Sequence, residues 1–362
     1  MERTMEAKVD LDDPQALAAV DSAGMLSVVE RFAEQVGDAL RIGRAEIKLP
    51  EPQGLKAVIV LGMGGSGISG DVIAALAPEG GMKLPVITVK GYELPSYVDS
   101  DCLVFAVSYS GNTEETLDCL EQAQNAGARL VAVSSDGSLA DIAVKKDIGL
   151  FTIPGGLQPR ASLGYLFVPV LSALERMGLV TGLLNQLEEA VEMLQDRSRE
   201  YGSGSGLDSN PTKRLARDMV GYLPVVYGVE GPVAVAALRW KAQLNEMAKV
   251  PAFYNSFPEL NHNETVGWQN LEDICSRCYL IVLREPGEHQ RIEKRIEITL
   301  GLIAESVGHT TQICARGSNR LERMLDLIYF GDFASVYLAL ALGQDPTPVS
   351  RIDELKRQLA GP

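Results

Sequence analysis

The residues of this 362-residue sequence best suited to chemistry are gathered in two loops. One reads Gly62-Met63-Gly64-Gly65-Ser66-Gly67-Ile68-Ser69-Gly70-Asp71 and holds the spacing G-x-G-x-x-G at Gly62, Gly64 and Gly67. Glycines so spaced let backbone amides approach a ligand and open a helix whose N-terminus attracts anions. A dinucleotide is one such ligand. Its ribose calls for an acidic residue ending the second strand, and here that strand ends Val89-Lys90-Gly91, with Glu93 beyond. The other loop, Ser108-Tyr109-Ser110-Gly111-Asn112-Thr113-Glu114-Glu115-Thr116, brings three hydroxyls to one helix N-terminus. That makes a neutral cradle for a phosphate dianion. An ordinary helix cap accounts for one or two of these residues, not for all. Ser134-Ser135-Asp136-Gly137-Ser138 repeats the chemistry more weakly and reads equally well as a turn and cap.

Strands must present these loops. Ala57–Leu61 is a continuous apolar run, as expected of a buried parallel strand, and runs at 85–89, 102–107, 129–133 and 149–153 follow it. Helical text lies between the later ones, notably at 113–126. Alternation of this kind predicts a doubly wound parallel sheet, which binds ligands outside the carboxyl ends of its strands. After helices at 162–177 and 183–199, Gly202-Ser203-Gly204-Ser205-Gly206 reads as a flexible joint, closed by Asn210-Pro211. A second series then follows: strands at 224–228, 279–284 and 311–315, with helices at 233–249, 288–307 and 319–342. The fold class is therefore α/β, with two doubly wound parallel-sheet domains in tandem and extra helices at both ends. The expected division is an N-terminal helical segment 1–50, a phosphate-binding domain 51–200, the joint 201–211, a second domain 212–345 and a C-terminal helix 346–362. Within the first segment Met25, Leu26, Val29, Phe32, Ala33, Val36 and Leu40 predict one packing helix, with Asp21 or Ser22 as its N-cap.

The paired segments, strand–GxGxS–helix and strand–SxSGxTxE–helix, resemble the flavodoxin-like sugar isomerase (SIS) domain, whose members bind phosphosugars. Three further segments resemble the bifunctional phosphoglucose/phosphomannose isomerases. They are Pro159-Arg160-Ala161-Ser162-Leu163-Gly164-Tyr165, Leu244-Asn245-Glu246-Met247-Ala248-Lys249 and Phe257-Pro258-Glu259-Leu260-Asn261-His262-Asn263-Glu264. The resemblance implies an aldose–ketose isomerase acting on sugar 6-phosphates, without cofactor or metal. Such a reaction moves a proton between C2 and C1 through a cis-enediol, so it needs a carboxylate base and a group to stabilise the enediolate. By resemblance, Glu246 is the base, Arg160 the stabiliser and His262 the ring-opening group, and Lys356 stands near the ring oxygen. Gly65, Ser66, Ser108, Ser110 and Thr113 hold the substrate, the last three gripping phosphate. Thr347 or a neighbour lines the C2 side. The resemblance also implies a homodimer, with His262 contributed across the interface.

Composition narrows the alternatives. With 33 Lys and Arg against 48 Asp and Glu the net charge is −15, which argues against a nucleic-acid partner. No apolar run reaches the roughly 18 residues of a membrane span, and Glu2 and Glu6 stand where a secretory leader would be basic. The five cysteines (102, 119, 275, 278 and 314) suit reduced thiols in a cytoplasmic protein. Cys275 and Cys278 form a Cys-x-x-Cys pair, but zinc would need two more ligands close by. A non-catalytic phosphosugar-binding regulator usually carries a basic headpiece, which the acidic N-terminus does not provide. An isomerase for an amino-sugar or heptose phosphate is the remaining alternative.

Overall fold

The computed structural model describes residues 6–359, which divide into two compact units. One comprises Arg31–Asp196 with Arg316–Leu325; the other takes in the chain through Glu30, Arg197–Ala315 and everything from Asp326 onward.

The first unit is built on five parallel strands: β1 (Ala57–Leu61), β2 (Val86–Val89), β3 (Cys102–Val107), β4 (Arg129–Ser134) and β5 (Gly149–Thr152). They lie in the order β2-β1-β3-β4-β5. Every residue of β1 and β3 is buried, as their unbroken apolar text requires. One face carries Ile59, Leu61, Val104 and Ala106, which pack with Leu120, Ala123, Leu139 and Ala143 of the helices after β3 and β4. The helix Gly64–Leu76 lies on the other face, where a Cβ at Gly70 would stand 3.0 Å from that of Val60. Because Leu61 aligns with both Val89 and Ala106, the carboxyl ends of the three central strands are level.

The second unit holds four parallel strands: β6 (Leu223–Val229), β7 (Phe253–Phe257), β8 (Cys278–Arg284) and β9 (His309–Cys314), in the order β7-β6-β8-β9. Val225, Tyr227, Leu280, Val282, Ile296 and Ile303 form its core. Strand β7, reading FYNSF, was not expected: it is an edge strand with Phe253 and Tyr254 exposed, so it lacks an apolar run.

Two further expectations meet a different local structure. The helix expected across 25–40 is two, Met25–Glu30 and Phe32–Gly43, and the break at Arg31 is where the chain passes between units. Asp21 caps the shorter one, its carboxylate accepting from the amides of Met25 and Leu26 at 2.8 Å. The Gly202–Gly206 stretch lies inside the second unit and is held by polar contacts. Ser203 N–H donates to Glu30 at 2.7 Å, and Leu207 N–H donates to Asp12 at 2.9 Å. Asn210 donates to the Tyr201 carbonyl at 2.7 Å and caps the next helix through the amides of Thr212 and Lys213. Among the described residues, Arg320–Ala341 is the one helix long and apolar enough to cross a membrane; it is buried along its length as core.

Lys213, 1% exposed, donates to Asp12 at 2.9 Å and stands 5.5 Å from the Tyr337 ring centre. The Leu207 amide and the Lys213 ammonium hold the Asp12 carboxyl below its ordinary value of 3.8. A depressed carboxylate contributes stability above its unfolded value, and that contribution is lost as pH falls through the folded one. Asp12→Asn should therefore destabilise the protein at pH 7 by about 1–2 kcal/mol, less than a fully buried pair would, because the Asp12 side chain is 43% exposed. In urea unfolding from pH 7 to pH 3, the gap between variant and wild type should close below pH 3.8.

Candidate active site

At the carboxyl edge of the first sheet the connections from β1 and β3 leave toward opposite faces, which opens a crevice between their loops. Both sequence-predicted loops lie there. They are joined directly, since the Tyr109 amide donates to Ser66 Oγ at 3.3 Å. Within the second loop, Ser108 Oγ and Thr113 Oγ1 are 2.9 Å apart, while Ser110 is exposed. Gly111 has φ +69°, and a Cβ there would fall 1.7 Å from the Asp136 carbonyl oxygen. The loop is thus pressed onto the segment 134–139, to which it also bonds through Leu139 N–H to Gly111 O at 2.9 Å and Ser138 N–H to Asn112 Oδ1 at 3.0 Å.

The helices Gly64–Leu76 and Glu114–Asn125, which open here, have no side chain hydrogen-bonded as N-cap, whereas the first amides of Gly137–Lys145 are taken by Asn112 and Gly111. Away from the crevice, Asp13 and Asn210 cap the helices Pro14–Val20 and Pro211–Asp218. Amides at the crevice therefore keep donor capacity for an anion, reinforced by the helix dipoles.

Arg160 comes to the same place. A Cβ at Gly65 would stand 2.5 Å from the Pro159 carbonyl oxygen and 3.1 Å from the Arg160 nitrogen, so the glycine loop rests on the Arg160 loop. Arg160 is 3% exposed, and its guanidinium donates to Gln158 Oε1 at 3.4 Å. Gly65, Ser66, Ser108, Ser110, Thr113 and Arg160 thus belong to one constellation in the first unit.

Glu246, His262 and Lys356 belong to the second unit. Glu246, half-buried, ends the helix Pro232–Glu246 that follows β6. Lys249, at φ +57°, folds back to donate to the carbonyls of Glu246 at 2.8 Å, Met247 at 3.1 Å and Pro346 at 3.0 Å. The cation thereby satisfies the helix C-terminus. Earlier on the helix, Arg239 and Gln243 both donate to buried Asp332, at 2.7 and 2.9 Å. His262 is exposed at the end of the turn Glu259–His262, while its neighbours are anchored. Asn261 donates to Thr299 Oγ1 at 2.7 Å, and Glu264 accepts from Tyr227 OH and from Asn255 at 2.5 Å. Burial, and then the bond to Glu264, push the Tyr227 hydroxyl far up, so it stays a donor. Lys356 is exposed on the helix Ser350–Leu359, which buries none of its residues. Thr347 precedes that helix, its amide bonded to Asp345 at 2.9 Å.

Among the described residues no group of three or more His, Cys, Asp or Glu is placed to hold a metal ion. All five cysteines are free thiols, and burial pushes that of Cys278 up.

Residues 55–155 match the SIS domain, and residues 208–359 match the bacterial phospho-glucose isomerase C-terminal SIS domain. The chain is 40% identical over 336 residues to the bifunctional phosphoglucose/phosphomannose isomerase of Caldicellulosiruptor bescii, covering 93% of this chain and 99% of that one. It belongs to the bifunctional phosphoglucose/phosphomannose isomerase family. The family member of Aquifex aeolicus is 36% identical over 304 residues, covering 84% of this chain and 90% of its own. In fold, the chain matches the crystal structure of a glucose-6-phosphate isomerase like protein from Thermus thermophilus. The TM-score is 0.60 at 20% identity, over 93% of this chain and 97% of that one.

One residue that organises this family member's crevice was not legible as such. Tyr109, buried between the two serines, donates to the Pro154 carbonyl at 2.9 Å and accepts from the Leu157 amide at 2.8 Å. Its own carbonyl accepts from Ser135 Oγ at 2.6 Å. It thus ties the serine loop to the chain leading into Arg160; the only sign in the sequence is a large aromatic where the motif is otherwise small.

The close approach at Gly65 has a measurable consequence. Gly65→Ala should cost about 1–3 kcal/mol from overpacking against Pro159. Gly64→Ala, at φ +50° with nothing within 4 Å, should cost only about 1 kcal/mol of conformational strain. Denaturant unfolding of both variants checks this; equal costs would mean that contact with the Arg160 loop is not what requires glycine at 65.

Proposed function

We propose that this chain interconverts glucose 6-phosphate and mannose 6-phosphate with fructose 6-phosphate through a cis-enediol. The observation that carries the reading is the convergence, in one unit, of two loops with uncapped helix amides on a buried arginine. Family membership supplies the sugar class. Phosphate is held by Ser108, Ser110, Thr113 and the neighbouring amides, with Gly65 and Ser66 completing the floor. Arg160 stabilises the negative oxygens of the enediolate. Glu246 takes the proton from C2 of the aldose and returns it to C1. His262 moves the proton that opens the ring, with Lys356 at the ring oxygen. No step calls for a metal, and the free thiols suit a reducing cytoplasm.

The working form in this reading is a homodimer in which His262 serves the partner's site. Its support is that the imidazole is exposed on an anchored loop with large apolar residues exposed around it in sequence: Phe253, Val266, Leu271 and Ile274. Exposed large apolar side chains of this kind suit a surface that meets another chain.

The deciding assay incubates chelator-treated protein with fructose 6-phosphate and measures glucose 6-phosphate and mannose 6-phosphate separately. Both should form. Neither forming would overturn the isomerase, and one alone would overturn dual specificity. Glu246→Gln should slow solvent proton exchange at C2 by about 10²–10⁴-fold while leaving phosphate affinity nearly unchanged. Wild-type exchange in that variant would place the base elsewhere. Mixing Glu246→Gln with His262→Ala protein should restore about a quarter of wild-type activity, because half the dimers are hybrids with one intact site each. No recovery would assign both residues to a single subunit's site.

A further inference from the structure

We propose that Gln35, on the N-terminal helix Phe32–Gly43, is a positioning residue for Arg160. The inference rests on the proposed reaction, in which the Arg160 guanidinium meets the enediolate. Gln35 is 5% exposed and uses both ends of its carboxamide on the Arg160 loop. Its Nε2 donates to the Ala161 carbonyl at 2.9 Å, and its Oε1 accepts from the Gly164 amide at 2.6 Å. These two backbone groups lie where the turn Pro159–Ala161 passes into the helix Leu163–Arg176.

That helix has no side-chain cap of its own; Ser162 Oγ is turned back to the Gln158 carbonyl at 2.8 Å. Gln35 therefore supplies from another element the acceptor that a local cap would supply. The backbone of Gly65 also closes on Pro159 and Arg160. The Arg160 loop is thus met both by the Gln35 carboxamide, at Ala161 and Gly164, and by the glycine loop. One turn further along the Gln35 helix, Asp38 accepts from Tyr165 OH at 3.3 Å. Burial and then the Asp38 charge push that hydroxyl up to about 12, so it stays a donor and extends the same seam.

A carboxamide is suited to this position by its chemistry. It presents an NH2 donor group and a carbonyl acceptor in one plane, without placing a charge beside a guanidinium. Glutamate would keep the bond from Gly164 and lose the one to Ala161. Methionine would lose both and leave two backbone groups unpaired. Both bonds of the carboxamide go to the Arg160 loop and not to the phosphate loops, so its loss should reach the chemical step through Arg160 and spare substrate binding.

The test is a double-mutant cycle on fructose 6-phosphate isomerisation with Gln35→Met and Arg160→Ala, alone and together. Gln35→Met should lower kcat about 10- to 100-fold, the scale of a misplacement near 1 Å, and change KM less than about threefold. Gln35→Glu should fall between it and wild type. In the Arg160→Ala background, Gln35→Met should cost less than about twofold further, since the group it positions is gone. Equal losses in both backgrounds, or a loss confined to KM, would overturn the proposal.

Backbone hydrogen exchange gives a reading that does not depend on activity. In Gln35→Met, exchange across 158–164 should rise at least about tenfold while 62–70 and 108–116 stay protected. Unchanged exchange at 158–164 would overturn the positioning role even in an active enzyme. A wild type that isomerises nothing would overturn the function, and the exchange experiment would still judge Gln35.

Discussion

The gap at the carboxyl edge between β1 and β3 is the constraint on which the site depends. It exists because the chain leaves β1 toward one face of the sheet and β3 toward the other. Two helices therefore begin side by side with their N-termini exposed to the same space. Sequence then decides what fills it. Glycine at 65 lets the Arg160 loop come in to backbone contact, and glycine at 111 lets the serine loop close onto Asp136. Tyr109, within the serine loop, bonds to Ser66 of the glycine loop and to the chain entering Arg160.

This construction reconciles a phosphorylated substrate with a protein of net charge −15. Neutral amides and hydroxyls, aligned by helix dipoles, act over a few ångströms, whereas the acidic surface is screened within about 8 Å at physiological salt. A single buried arginine placed by backbone contacts then counts for more than the overall balance of charge. The same acidic surface disfavours polyanions such as nucleic acid, which need an extended basic track.

Legibility in the sequence followed the range of the interactions. The continuous apolar runs at β1, β3, β6 and β8 are dictated by burial on both faces, and all four strands form where the text places them. Strand β7 escaped because an edge strand with Asn255 and Ser256 carries no such run. The break at Arg31 escaped because its cause is tertiary: the helices on either side pack in different units, while the apolar spacing continues through it. At the candidate site, glycine and hydroxyl spacing singled out the two loops that meet in the crevice, since such residues act through local backbone geometry. Gln35 lay in plain view as a polar residue at core spacing between Phe32 and Ala39. Its partners at Ala161 and Gly164 are more than a hundred positions away, so nothing local said what it holds.

The passage of the chain between units has a consequence for how the protein is made. Residues through Glu30 belong with sequence that begins at Arg197 and ends beyond Asp326. Ser22 donates to Asp345, 323 positions later, and the Lys8 amide donates to the Ala341 carbonyl. At about 5–20 residues per second, the partner of Ser22 leaves the ribosome roughly 16 to 65 s after Ser22 itself. For that interval residues 6–30 are without their binding surface, while Arg31–Asp196 already holds a complete five-stranded sheet. Residues 6–30 thus wait for sequence made long after them, and a cut at Gly202–Gly206 would leave two fragments of which neither contains a whole second unit.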